Sequence, residues 1–363
     1  MCLNHQLARF NEQKANAFAQ SMLDTLNRGA LCLMLSVGHR TGLLDVLAKM
    51  SPASSKEVAK KAGLNERYVR EWLCAMTTAQ VLNYNPATEH YSLPVEHAAF
   101  LGREAGADNM AVFAQYIPLM SQVEDDIVQC FRKGGGVPYE KYPRFQEVMA
   151  EDSGATVLSS LVDDILPLDP GLTQKLEKGI QVLDVGCGRG RALNLMARTY
   201  PNSHFTGYDL SKDAIAYARK EAKKLGCENV VFEAKDVTAF DRDVAGNQFD
   251  LITTFDAIHD QAQPLSVLRG IFKALKDDGT YLMQDIHSYS DVSKNLDHPV
   301  GTLLYTLSTM HCMTVSLAQG GEGLGTMWGQ EKAKDYLKKV GFTSVEVNQL
   351  THDFQNDYYV IRK

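Results

Sequence analysis

No two cysteines in this chain are spaced as C-x-x-C, and the seven present (Cys2, Cys32, Cys74, Cys130, Cys187, Cys227 and Cys312) are scattered along it. Such spacing provides no disulfide framework and no structural zinc site, so reduced thiols are expected. Nor does any apolar run reach the roughly 18 residues of a membrane span. The N-terminal MCLNHQLARFNEQKANAF lacks the charged and apolar regions of a signal peptide, which makes the cytoplasm the expected compartment. Internal repeats and low-complexity tracts are missing too. Positive charge is in short supply: 37 Lys and Arg stand against 44 Asp and Glu, a net charge of −7, which disfavours nucleic acid and anionic membrane as partners. What remains is an ordinary globular composition, 45% hydrophobic and 22% charged, over 363 residues, enough for two domains with cores of their own.

Periodicity divides the chain in three. From about Ala15 to Lys49, Met22, Leu23, Leu26, Ala30, Leu33, Met34 and Val37 recur at three- and four-residue intervals, predicting one long helix. Apolar on more than one face, it suits a subunit contact and suggests a homodimer. Ser54 or Ser55 caps a helix to Lys61, stopped by Gly63, and Asn65 caps another through about Ala79. A hairpin of Val81–Tyr84 and His90–Leu93 completes a winged helix within residues 1–105. DNA binding is the alternative role for such a module, as in a regulator that uses the downstream domain as a ligand sensor. Between Arg40 and Phe100, however, seven basic residues face six acidic ones, and Glu66 and Glu71 flank Arg67 and Arg70 on the would-be reading helix. Phosphate neutralisation supplies most groove-binding affinity, so nucleic acid is disfavoured. Residues 106–171 read as a helical linker or lid, with a loop at KGGGVPYEKYP and a helix from Phe145 to Leu166. From 172 to 363, strands at 181–184, 204–209, 230–234, 249–254, 280–285, 344–349 and 358–362 alternate with helices, predicting an α/β, Rossmann-like parallel sheet.

Within that domain IQVLDVGCGRGRAL carries the strongest signal. An apolar strand ends at Asp184 and turns through Gly186, Gly188 and Gly190 into a helix. A dinucleotide fingerprint would read G-x-G-x-x-G and seat a pyrophosphate on the helix N-terminus. This turn reads G-x-G-x-G and has a carboxylate at its entrance, which disfavours a pyrophosphate and suits a cation. S-adenosylmethionine, with its ammonium and sulfonium, fits that charge. Asp209, roughly 20 residues on and ending the next strand, is placed for the ribose hydroxyls. Asp236 closes the third strand and is placed for the adenine amino group. His259, just past the fourth strand, sits at the mouth of the crevice, where an imidazole can act as base.

VLDVGCGRG, TGYDLS, EAKDV, FDLITTFDAIHD and KDDGTYLMQDI follow in the order and spacing of class I S-adenosylmethionine-dependent methyltransferases, which residues 172–363 resemble. The resemblance implies a seven-stranded sheet whose last two strands form an antiparallel hairpin. The winged helix ahead of it makes the layout similar to plant-type small-molecule O-methyltransferases. In that family the histidine of His259-Asp260 is the general base, Asp285 falls where an acid orients it, and Glu322 stands as a second such acid. The same resemblance puts Asp209, Leu210, Asp236, Val237 and Phe255 among the cofactor contacts. The family's lysine four positions before the histidine is Phe255 here, and its tryptophan after His-Asp is Gln261. Over nearly the whole length the chain also resembles a mycobacterial-type group of winged-helix methyltransferases, through SVGHRTGLLDVLA, EDSG, DAIHDQA and YTLSTMHCMTVSLAQGGEGLGTMWG.

The stretch from Gly301 to Gly329 is expected to roof a pocket for a small, largely apolar acceptor, methylated on oxygen or sulfur. Leu303, Leu304, Leu307 and Met310 read as a helix stripe. Asp260, His311, Cys312, Glu322 and Trp328 are the candidate pocket residues. A metal set of Asp256, His259, Asp260 and His287 does not match the carboxylate-and-asparagine pattern of metal-dependent methyltransferases, so no metal is expected.

Overall fold

The computed structural model describes residues 10–363; Cys2 lies outside them. The chain forms two compact units that divide between Pro118 and Leu119, so residues 106–118 go with the first unit and residues 119–171 with the second.

In the first unit the long N-terminal helix runs as α1 (Glu12–Thr41), capped by the Asn11 side chain. It stops earlier than periodicity suggested. Gly42 takes φ 76°, the left-handed conformation glycine adopts without penalty, and the chain restarts as α2 (Leu43–Ala48). Next come α3 (Ser55–Ala62), opened by a Ser54–Glu57 capping box and closed at Gly63, and α4 (Glu66–Thr78), capped by Asn65. The strands β1 (Asn83–Asn85) and β2 (His90–Ser92) pair antiparallel to form the wing. Leu44, Val58, Val69, Leu73 and Met76 make the core. α1 packs on it through partly buried Leu31, Met34 and Leu35 near its C-terminal end, and only Ser36, Gly38 and His39 of its residues are fully buried.

The second unit is built on seven strands: β3 (Gln181–Val185), β4 (His204–Asp209), β5 (Val230–Ala234), β6 (Phe249–Phe255), β7 (Leu275–Ile286), β8 (Ser344–Leu350) and β9 (Asp353–Arg362). Their order is β5-β4-β3-β6-β7-β9-β8, with the first five parallel and the hairpin β8–β9 antiparallel. Alternation along the strands sends Leu183, Ile252 and Met283 to one core and Val182, Leu251 and Leu282 to the other. Strand order reverses between β3 and β6. At such a switch point the helices leave in opposite directions and open a crevice outside the strands' carboxyl ends.

Two expected elements differ. KGGGVPYEKYP contains a short 3₁₀ turn at Tyr139–Lys141, pinned by buried Val137 and Tyr142. The helix expected over Phe145–Leu166 is α5 (Phe145–Ser153), followed by wide turns at Gly154–Leu158 and Leu161–Ile165. Leu161, Ile165 and Leu166 are fully buried against the sheet, and their packing overrides a continuous helix.

Candidate active site

The glycine turn opens where β3 ends. Gly186 and Cys187 donate to the Tyr208 carbonyl (2.8 and 3.0 Å), tying the turn to β4. Gly190 takes φ 65° immediately before α6 (Arg191–Thr199), and a Cβ there would lie 2.4 Å from the Phe232 ring, so no other residue fits. A Cβ on Gly188 would meet nothing closer than the Gln146 side chain at 3.7 Å, which leaves bare main chain facing the crevice. Asp209 laces the turn, accepting from Gly188 N and Ser211 N, both at 2.8 Å. Asp184 is buried and accepts from Thr253 Oγ1 at 2.9 Å. Burial pushes Asp184 up to about 7 and raises Asp209 as well, and among the described residues no lysine or arginine bears on either carboxyl. Two desolvated acids without a counter-cation, beside open main chain, fit a cationic nucleoside ligand.

The remaining cofactor candidates lie along the same edge. Asp236 is exposed at the end of β5 and accepts from Thr238 N, leaving its other oxygen free for an exocyclic amine. Leu210 is exposed beyond β4, Phe255 is half-buried at the end of β6, and Val237 is buried in the core, so its contact would be through main chain.

His259 follows β6 and is 4% exposed. Its Nδ1 is 2.8 Å from Oδ1 of Asp285, at the end of β7. That oxygen also accepts from Ile286 N (2.8 Å) and Trp328 Nε1 (3.1 Å), so the carboxylate is fixed from three sides. Burial opposes the imidazolium, but the Asp285 carboxylate, with a contribution in the same direction from neighbouring Cys312, outweighs it and holds His259 well above the ordinary histidine range. With Nδ1 directed at Asp285, Nε2 is the nitrogen left for a proton. Tyr139 donates to Asp260, whose carboxyl burial raises to about 6.

Above this pair the chain runs through α7 (Gly301–Leu307), a π turn (Ser308–Cys312) and α8 (Met313–Ala318). π turns commonly mark functional positions, and this one carries His311 and Cys312. His311 stacks on Phe145 (3.7 Å between centroids, 14°) and meets the rings of Tyr139 and Tyr142 edge-on. Neither of its nitrogens has a hydrogen-bond partner. Burial and nearby His259 push it down to about 3, so it is neutral.

Two residues do other work than expected. Glu322 is exposed and accepts from Tyr336 Oη at 2.6 Å, so it is no second acid on the histidine. Trp328 is buried and bound to Asp285, a positioning contact instead of a pocket wall. Ligating atoms of Asp256, His259 and Asp285 lie within 4.8 Å of one another. Asp260 and His287 are outside that group, and His287 pairs with Asp357. Sequence reasoning did not reach Tyr139, Tyr142 or Phe145, because nothing local marks a loop tyrosine that closes on a distant strand end.

Comparison with known proteins agrees with this geometry. Residues 29–103 match the model of an Rv2258c-like winged HTH domain, and residues 176–355 match that of a methyltransferase domain. Phosphoethanolamine N-methyltransferase 3 of Arabidopsis thaliana is 33% identical over 290 residues, 78% of this chain and 53% of that protein. The chain thus spans about half of that relative, and only 21% of the wheat phosphoethanolamine N-methyltransferase 1 that it also matches. Human N-acetylserotonin methyltransferase, solved with S-adenosylmethionine, superposes with a TM-score of 0.67 at 17% identity, covering 98% of this chain and 99% of that one. Mitomycin 7-O-methyltransferase MmcR gives 0.69 at 16% identity, with 97% and 100% covered. With its glycine turn, its uncompensated acids and both family matches, the chain belongs to the class I S-adenosylmethionine-dependent methyltransferases, carrying an Rv2258c-like winged helix ahead of the catalytic domain.

Proposed function

We propose that the enzyme methylates an oxygen or sulfur nucleophile of a small, largely apolar molecule, with His259 as the base and Asp285 as its positioning residue. The buried 2.8 Å contact between them carries this reading. S-adenosylmethionine, when bound, supplies a methyl group activated by its sulfonium. Asp184 and Asp209 hold its charge and ribose at the switch point. Asp285 fixes the His259 tautomer so that Nε2 takes the nucleophile's proton, a step general bases accelerate by about 10²–10⁴. Phenols and thiols ionise near 10 and 8.5, within reach of an imidazole whose basicity a carboxylate has raised. Tyr139, Tyr142, Phe145 and Met310 favour an apolar body for the acceptor. In His259→Ala, adenosylhomocysteine release should fall about 10²–10⁴-fold at saturating acceptor while cofactor affinity holds. Retained turnover would take His259 out of the role.

We also propose a homodimer formed through α1, where Phe18, Met22, Leu23, Leu26, Leu33 and Val37 are exposed. Asp24 and Arg28 stand one turn apart on this helix, so an antiparallel second copy would meet opposite charge at the same apolar stripe. Arg67 and Arg70 of α4 are paired with Glu71 and Glu66, which supports a structural use of the winged helix over phosphate binding. Among the described residues no helix is long and apolar enough to cross a membrane, and the free cysteines there fit a reducing cytoplasm.

A further inference from the structure

The glycine-rich run AQGGEGLGTMWG takes no part in the chemistry described so far, yet it is tied to both members of the base pair. From Gln319 to Gly329 it forms neither helix nor strand. Its first half is laced to the segment after β6. Ser316 Oγ, at the end of α8, donates to the Gln261 carbonyl (2.9 Å), Glu322 N to that of Ala262 (3.0 Å) and Gly325 N to that of His259 itself (3.2 Å). A Cβ on Gly321 would lie 2.5 Å from Ala262 Cα, and one on Gly325, at φ 72°, 2.1 Å from Ser308 Oγ, so the close approach requires glycine at both. Its far end is laced to the chain after β7, where Gln330 N donates to Ser288 O (2.9 Å) and Ser290 Oγ to Trp328 O (2.7 Å). Between these anchorages Trp328, 4% exposed, directs Nε1 at Asp285 Oδ1 (3.1 Å).

That oxygen is crowded. It accepts from His259 Nδ1 and Ile286 N, both at 2.8 Å, as well as from the indole, while Oδ2 has no partner among the described residues. A carboxylate oxygen offers about two lone pairs, so three donors must share them. The indole N–H therefore acts in two ways. It fixes the plane of the carboxylate, and with it the direction of the imidazole. It also stabilises the carboxylate's charge by itself, which weakens the hold of that charge on the imidazolium. Glu322, which would have added a second charge, is turned to Tyr336. The other titratable groups acting on the ring are Cys312 and His311 of the π turn and Asp256 and Asp260 of its own segment, and Tyr281 of β7 and Tyr359 of β9 face Asp285.

We propose that Trp328, carried by the Gln319–Gly329 loop, is a positioning residue of the base pair: its indole N–H fixes the Asp285 carboxylate and limits how tightly that carboxylate keeps a proton on His259. The proposal rests on His259 being the base. A base serves best when its proton affinity lies near the working pH. A buried carboxylate with no competing donor would hold the imidazole protonated further into the working range, where it accepts nothing. The neutral donor on the shared oxygen offsets part of that pull, and the loop that supplies it also holds the His259 carbonyl.

The test reads His259 directly and needs no turnover. With the full chain carrying histidine labelled with carbon-13 at Cε1, the His259 resonance is followed against pH, identified among the ten histidines by its loss in His259→Gln. A neutral donor moves a carboxylate by about one to two pKa units, and about half of that passes to the imidazole across the shared oxygen, so the His259 midpoint in Trp328→Phe should rise by about 0.5–1 unit. The acid limb of adenosylhomocysteine release should rise with it, opposite to the shift in Asp285→Asn. In the double variant Trp328→Phe, Asp285→Asn the midpoint should match that of Asp285→Asn alone. Benzothienylalanine at position 328, which keeps the shape of tryptophan and lacks the N–H, should give the same rise and serves if Trp328→Phe does not fold. A midpoint unmoved or lowered by loss of the N–H, or raised equally in the Asp285→Asn background, would overturn the proposal. Failure of every phenol and thiol to be methylated would instead overturn the proposed reaction, and would leave the titration standing.

Discussion

Asp285→Asn separates basicity from geometry at the His259 site. Asparagine matches aspartate in shape, and its Oδ1 can still accept from Ile286 N, Trp328 Nε1 and His259 Nδ1. What disappears is the negative charge. Hydrogen bonds to charged groups are worth about 1.5–3 kcal/mol, or about one to two pKa units at 1.36 kcal/mol each. The wild-type imidazole lies above the ordinary histidine value because Asp285, with Cys312, outweighs burial, and without the Asp285 charge the value falls. The base works only when deprotonated. The wild-type rate should therefore rise with pH through a midpoint above 6.5, and in Asp285→Asn that acid limb should move down by about one to two units. The plateau should fall as well, because a weaker base drives proton removal less. Adenosylhomocysteine release against pH, from 5.5 to 9 with saturating donor and acceptor, reads both effects. An acid limb unmoved by the substitution would refute the coupling of Asp285 to His259, and a limb displaced upward would reverse its sign.

Asp209→Ala should weaken donor binding by about 10–100-fold, since the ribose hydroxyls lose their acceptor and two main-chain donors of the loop, Gly188 N and Ser211 N, lose theirs. Unchanged calorimetric affinity would contradict the placement. Replacing Leu23 and Leu26 together by glutamate puts charge on the exposed stripe of α1 and should leave a folded monomer. Light scattering that finds the wild type monomeric, or the double variant still dimeric, would rule out that interface.

Local chemistry sufficed for much of the fold. Gly63 and Gly42 end helices because each takes the left-handed conformation, and Ser54 with Glu57 starts one because their side chains satisfy free amides. The first of these stops was missed at Gly42, where apolar spacing continues past the break: hydrophobic periodicity marks a face and does not register a backbone turn. Likewise Phe145–Leu166 is helical in pattern but distorted by the burial of Leu161, Ile165 and Leu166 against the sheet.

By itself the sequence determined the parallel sheet, the glycine turn and the acids at successive strand ends, because strand alternation and a Gly-rich bend are properties of a few neighbouring residues. It also named His259 through its place past a strand end and, through the family resemblance, Asp285, 26 positions on. Only the tertiary structure decided their environment. It set Trp328 on Asp285, took Glu322 away to Tyr336, closed Tyr139 on Asp260 and left Asp256, Asp285 and Gln284 with unpaired oxygens. Those outcomes depend on which side chains meet across long loops and on how completely water is excluded, and neither is encoded in the spacing of residues along the chain.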